Sequence, residues 1–124
     1  MIIDYKCQNG KLELKFTPEK NDPATHDVFN SVFKTTRKVE MGSTRCEIHL
    51  PVDWTVESIH PDAFALAIIA IIYPFSGSRI RLPKGVSKPF HNQVKQLTNI
   101  EILPINEKLS LRKAPSNAVP ALSF

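Results

Sequence analysis

The run Ala63-Phe64-Ala65-Leu66-Ala67-Ile68-Ile69-Ala70-Ile71-Ile72-Tyr73 carries no charge and lies between Pro61 and Pro74. Its length exceeds that of an ordinary buried strand, so the spacing predicts a helix. Pro61 suits a first helical turn, where no amide donor is missed. Asp62 puts negative charge at the positive end of the helix dipole. Pro74 ends the run, because a proline disfavours helix in the residue before it. The run falls short of the roughly 20 residues that cross a bilayer, so no membrane association is expected. A helix apolar on every side is expected to be buried on every side. Phe64, Leu66, Ile68, Ile69, Ile71 and Ile72 would then contribute on the order of 10 kcal/mol gross. That rivals the net stability of a typical domain, so the helix is expected to centre the core.

The surrounding pattern alternates between strand and helix. Asn9-Gly10 is a strong two-residue hairpin signal, since both positions tolerate positive φ. Pairing across it sets Ile3 against Phe16, Tyr5 against Leu14 and Cys7 against Leu12. The opposite face then pairs Asp4 with Lys15 and Lys6 with Glu13. Asp22-Pro23 resembles a helix start, and Val28, Phe29, Val32 and Phe33 form one stripe, predicting a short helix. A second hairpin is expected over 35–50 around Gly42-Ser43, with Val39 opposite Cys46, Glu40 opposite Arg45 and Lys38 opposite Glu47. In that register Arg37 falls on the apolar face opposite Ile48. Trp54, the sole tryptophan, is expected to pack at the core edge.

Beyond the apolar run, Arg79-Ile80-Arg81-Leu82 alternates as a strand. Ser87 and Pro89 open a helix with Phe90, Val94 and Leu97 on one face, and Ile100 to Leu103 is a strand. Strand, helix, strand with short links predicts a parallel βαβ unit. Leu109 and Leu111 alternate as a further short strand. The expected architecture is a single α+β domain over 1–124. Residues 1–59 hold two hairpins and a short helix, and 60–124 hold the central helix, the βαβ unit and terminal strands.

Few residues suggest chemistry. Cys46 and His49 have the spacing of metal ligands, but in a strand residues three apart point to opposite faces. His26, His60 and His91 lack an i,i+4 partner, so surface or capping roles are expected. Asp53 and Glu57 stand in a loop with no base or nucleophile to pair with. Ser76-Gly77-Ser78 reads as a turn rather than an anion cradle, because one glycine makes no phosphate loop. No catalytic residue and no metal site is expected in this chain. Cys7 and Cys46 do not make a secreted disulfide framework, and Met1-Ile2-Ile3-Asp4 lacks the features of a signal peptide, so a cytoplasmic location is expected.

Charge divides the chain. Residues 1–62 hold 8 Lys and Arg against 10 Asp and Glu, whereas residues 63–124 hold 8 against 2. The basic half fits a solvated surface, an acidic protein partner or nucleic acid. Arg79, Arg81, Lys84, Arg112 and Lys113 are the candidate contacts to phosphate or another anion. They define one functional reading, a free-standing basic binding module.

The other reading comes from Ala118 to Phe124, which reads as a buried strand with no loop after it. This predicts that the chain is a fragment or an accessory domain. Ala121-Leu122-Ser123-Phe124 resembles the first strand of the PP-loop ATP pyrophosphatases, the adenine nucleotide alpha-hydrolase group. There such a strand runs into a Ser-Gly-Gly-x-Asp-Ser loop. The His60-Pro61-Asp62 helix, the strand at Arg79 to Leu82 and the run Asn117 to Phe124 resemble uncharacterised proteins related to 7-cyano-7-deazaguanine synthase. The resemblance implies an N-terminal accessory domain, inactive alone, ending just before the PP-loop. Its expected partner is a C-terminal catalytic domain or another protein chain. That domain would use ATP and Mg to adenylate a nucleobase-like or carboxylate substrate. The loop positions would follow Phe124, so no catalytic role passes to a residue of this chain. What remains for it is to orient substrate or to make a subunit contact.

Overall fold

The computed structural model describes residues 1–23, 25–51 and 53–110. Its first hairpin joins β1 (Ile2–Gln8) to β2 (Lys11–Thr17) in the register expected from the sequence, with Ile3, Tyr5 and Cys7 opposite Phe16, Leu14 and Leu12. Asn9 at φ 53° and Gly10 at φ 74° make the turn, a pair of left-handed residues that matches the strand twist. Ile3, Leu12, Leu14 and Phe16 are buried, while Asp4, Lys6, Glu13 and Lys15 face outward.

The middle of the chain departs from expectation. Residues 25–33 are not a helix: Thr25–Asn30 is a strand, β3, paired antiparallel with β4 (Thr35–Glu40) in a separate two-stranded sheet. Two local bonds explain why. Asn30 Oδ1 accepts from the amides of Val32 (2.9 Å) and Phe33 (3.2 Å), making a turn where the helix would continue. Asp22, the expected helix cap, instead accepts from the amides of Glu19 and Gly77, each at 2.7 Å. The hairpin expected over 35–50 is also overturned. Gly42-Ser43 lies in the connection from β4 to β5 (Arg45–His49), and β5 pairs with β2, setting Cys46 against Leu14 and Ile48 against Leu12. This arrangement keeps apolar against apolar, and Arg37 no longer opposes Ile48.

From the central helix to the strand after the second helix the elements form where the sequence predicts them, with somewhat different bounds. A 3-10 turn (Val56–Ser58) precedes α1 (Pro61–Ile72), followed by β6 (Arg79–Val86), α2 (Lys88–Thr98) and β7 (Glu101–Ile105). The main sheet runs β5-β2-β1-β6-β7, antiparallel on the β2 side of β1 and parallel on the β6 side. The fold is therefore mixed α+β. Inward-facing Ile3, Leu14, Ile80 and Ile102 join Phe64, Ala65, Ile68, Ile69 and Ile72 of α1 in one core. Tyr5 meets Phe64 edge-to-face at 5.6 Å, so α1 contacts both halves of the chain.

Three packing details differ from the sequence reading. The helix α1 is not buried all round: Leu66 is 58% exposed, and Ala63, Ala67, Ala70, Ile71 and Tyr73 are exposed with it. The apolar sheet face covers one side of α1, and no described element covers the other. In α2, Leu97 is exposed and His91 is buried instead. The His91 ring lies 2.9 Å from Ile102 O and 3.3 Å from Ile102 N, so it closes the outer edge of β7. Trp54 is exposed too, and Val56 of the adjoining turn fills the core position. Leu109 is not in a strand, because its amide donates to Asn106 O in a turn after β7. Leu111 lies outside the described residues. No helix among the described residues is long and apolar enough to cross a membrane.

Candidate functional site

The head of α1 holds the best-organised polar cluster. His60 caps the helix, its Nδ1 accepting from the Asp62 amide at 3.1 Å. Asp62 is itself buried, and its carboxylate accepts from the Ser87 amide (2.8 Å) and the Ser87 hydroxyl (2.6 Å). Ser87 also accepts from Phe90 N as the cap of α2. One carboxylate thus holds two helix N-termini together, and both dipoles favour its negative charge. Buried polar groups with all partners satisfied make a rigid clasp. Within the clasp the Ser87 hydroxyl donates to the Asp62 carboxylate, and His60 Nδ1 stands 3.9 Å from Asp62 Oδ2. From this head the exposed apolar stripe runs along α1 to Tyr73.

A second cluster surrounds the chain start. The ammonium of Met1 is buried, 2.6 Å from Asp22 Oδ2 and 3.2 Å from Glu19 Oε1, and it donates to Arg79 O at 3.0 Å. Burial would raise the Asp22 carboxyl, but hydrogen bonds from the ammonium and from Glu19 and Gly77 amides hold it below its ordinary value. The Glu19 carboxyl is lowered as well, first by its hydrogen bond to the same ammonium and also by Arg81. Because both carboxyls are depressed, their stabilisation is complete above the ordinary values of 3.8 and 4.5, and disappears as pH falls below them. Urea unfolding near pH 7 and about pH 3 is expected to show that loss. Asp22→Asn should lower stability near neutrality and flatten the acid limb. An acid limb as steep as that of the parent would contradict this assignment.

The basic candidates do not converge. Arg79 and Arg81 project onto the open sheet face, where Arg81 Nε donates to Glu19 Oε1 at 3.1 Å. Lys84 lies on the helix side of the sheet, bonded to Val56 O (3.3 Å) and 5.8 Å above the Tyr5 ring. Arg112, Lys113 and the run Ala121, Leu122, Ser123, Phe124 lie outside the described residues. The open sheet face has a shallow groove among Asp4, Lys6, Glu13, Lys15, Arg45 and Glu47. It holds acids and bases in equal number, with Lys15 beside Arg45 and Glu13 beside Glu47, so it presents no field of one sign to a ligand. On β5, Cys46 faces the core and His49 faces outward beside Glu47 at 3.0 Å. No group of three His, Cys, Asp or Glu side chains disposed to hold a metal occurs among the described residues. The turn at Ser76 to Ser78 spends its Gly77 amide on Asp22.

Sequence reasoning read Asp62 and Ser87 as separate helix starts and did not find that they meet. A first-turn acid before β6 and a capping serine after it were the linear trace of it. The burial of the Met1 ammonium had no such trace. No family model matches the chain, and neither a curated protein nor a solved structure matches it.

Proposed function

We propose that this chain is a non-catalytic accessory domain of a PP-loop ATP pyrophosphatase-like enzyme that adenylates a nucleobase-like or carboxylate substrate. The observation that carries this reading is the outward face of α1, where Leu66, Ile71 and Tyr73 lie exposed among alanines. A contiguous apolar face of this kind marks an interaction surface. A catalytic domain seated on it would complete the second side of the helix. The likeness of Ala121-Leu122-Ser123-Phe124 to the strand that enters a PP-loop supplies the identity of that domain. ATP and Mg belong to the partner in this reading, since the resemblance places the phosphate-binding loop in the catalytic domain. The free-standing basic module has less support, because Arg79 and Arg81 lie on the opposite side of the sheet from Lys84.

Two measurements test the proposal. Reading the gene beyond codon 124 should reveal Ser-Gly-Gly-x-Asp-Ser in frame or in an adjacent gene; its absence from both sinks the family assignment. Leu66→Gln combined with Ile71→Gln should leave the chain folded at a cost of about 1–2 kcal/mol, since Leu66 is largely exposed and Ile71 partly so. The same pair should abolish co-purification with the catalytic domain. Undiminished co-purification would reject the α1 face as the contact.

A further inference from the structure

The β3–β4 hairpin is an arm whose residues from His26 to Glu40 are all exposed. Six residues per strand make it about 20 Å long. Its apolar side chains gather toward the tip: Phe29 is 64%, Val32 80% and Phe33 74% exposed. The tip has a defined shape. Asn30 Oδ1 holds the amides of Val32 and Phe33, and Lys34 closes the turn at φ 51°. Charge is distributed along the arm as well. From Val28 to Lys38 there are three cations, Lys34, Arg37 and Lys38, and no acid. Glu40 sits at the root opposite Thr25, and Asp27 stands opposite Lys38. No ion pair engages the three cations among the described residues.

We infer that this arm binds single-stranded nucleic acid, with Phe29 and Phe33 stacking on bases and Lys34, Arg37 and Lys38 meeting the phosphates. Register supports the division of labour. Phe29 stands opposite Thr36, on the same face as Lys38, while Arg37 stands opposite Val28 on the other face. Phe29 thus shares its face with Lys38, which stands opposite Asp27, while Arg37 on the other face stands opposite an apolar residue and Lys34 lies in the turn. Stacking on exposed aromatics is tolerant of sequence, and cations on the same ribbon supply the salt-dependent part of binding. A neutral apolar surface on a protein partner would have no use for three unpaired cations beside it. The inference goes beyond the role given to α1 and rests on different residues, so either can fail alone.

Fluorescence anisotropy of the full chain with labelled RNA and DNA single strands of about 15 nucleotides tests it. Binding is expected at about 50 mM salt and should weaken steeply toward about 200 mM. Phe29→Ala with Phe33→Ala should weaken binding about tenfold or more while keeping the salt slope. Lys34→Gln, Arg37→Gln and Lys38→Gln together should lower the salt slope by about 2. All these side chains are exposed, so the thermal melt of each variant should match the parent. Absence of binding at low salt, or binding that neither variant changes, overturns the inference. So does a tip that drives self-association, or that binds anionic phosphatidylserine vesicles but no single strand.

Discussion

Asp62→Ala is expected to remove about 3 kcal/mol of folding stability, lowering the midpoint of thermal unfolding by about 10 °C. The cost has two parts. The substitution deletes two charge-assisted hydrogen bonds, and it leaves the buried Ser87 amide without a partner. It also takes negative charge away from two helix N-termini at once. Asp62→Asn should lose less, since its side-chain oxygen still accepts from the Ser87 amide. Ser87→Ala should be destabilising alone, and the double substitution should fall short of the sum by about 1 kcal/mol or more. Urea denaturation of the four proteins checks this. Additive effects would mean that the clasp is not a unit, and a neutral Asp62→Ala would refute the assignment altogether.

Gly77→Ala is expected to cost a similar amount, about 3 kcal/mol, for a different reason. A Cβ on Gly77 would stand 2.2 Å from Asn21 O and 2.8 Å from the Asn21 carbonyl carbon. The obstacle is main chain, which cannot swing aside as a side chain does. Relief requires the Asn21–Asp22 segment to move, and Asp22 is bonded to the Gly77 amide and to the Met1 ammonium. The damage should therefore reach the N-terminal cluster. Gly77→Ala should flatten the acid limb of stability as Asp22→Asn does. A variant with unchanged stability would show that the turn accommodates a methyl group without moving Asn21.

Local chemistry made the first hairpin and the βαβ unit legible. Asn9-Gly10 sets a register that self-consistent cross-strand pairs then reinforce, and Ser87 with Pro89 announces a helix. The segment from Asp22 to His49 was not legible, because its outcome depends on distant partners. Asp22 is an excellent cap residue, yet the Met1 ammonium and the Gly77 amide claim it. The strand at Arg45 to His49 has an adjacent candidate partner, but the apolar edge of β2 outbids it. Propensity for β3 was available in Thr25, Val28 and Phe29, and the stripe of Val28, Phe29, Val32 and Phe33 concealed it. The candidate site was legible only as ingredients. The apolar run was plain in the sequence, while the side of α1 left open depends on how many layers the fold has.

The position of β1 has a consequence for biosynthesis. Residues 2–8 leave the ribosome before the other strands of the main sheet, yet they form its middle, between β2 and β6. One flank of β1 is closed within a few residues by the hairpin. The other waits for β6, which ends at Val86. At about 5–20 residues per second, that edge stays open for about 4–16 s of translation. During this interval the nascent chain offers unpaired backbone along β1, protected on its outward face by Asp4 and Lys6. Slow synthesis across 18–78 would prolong the exposure, and codon choice in that interval becomes a property on which the yield of folded protein depends.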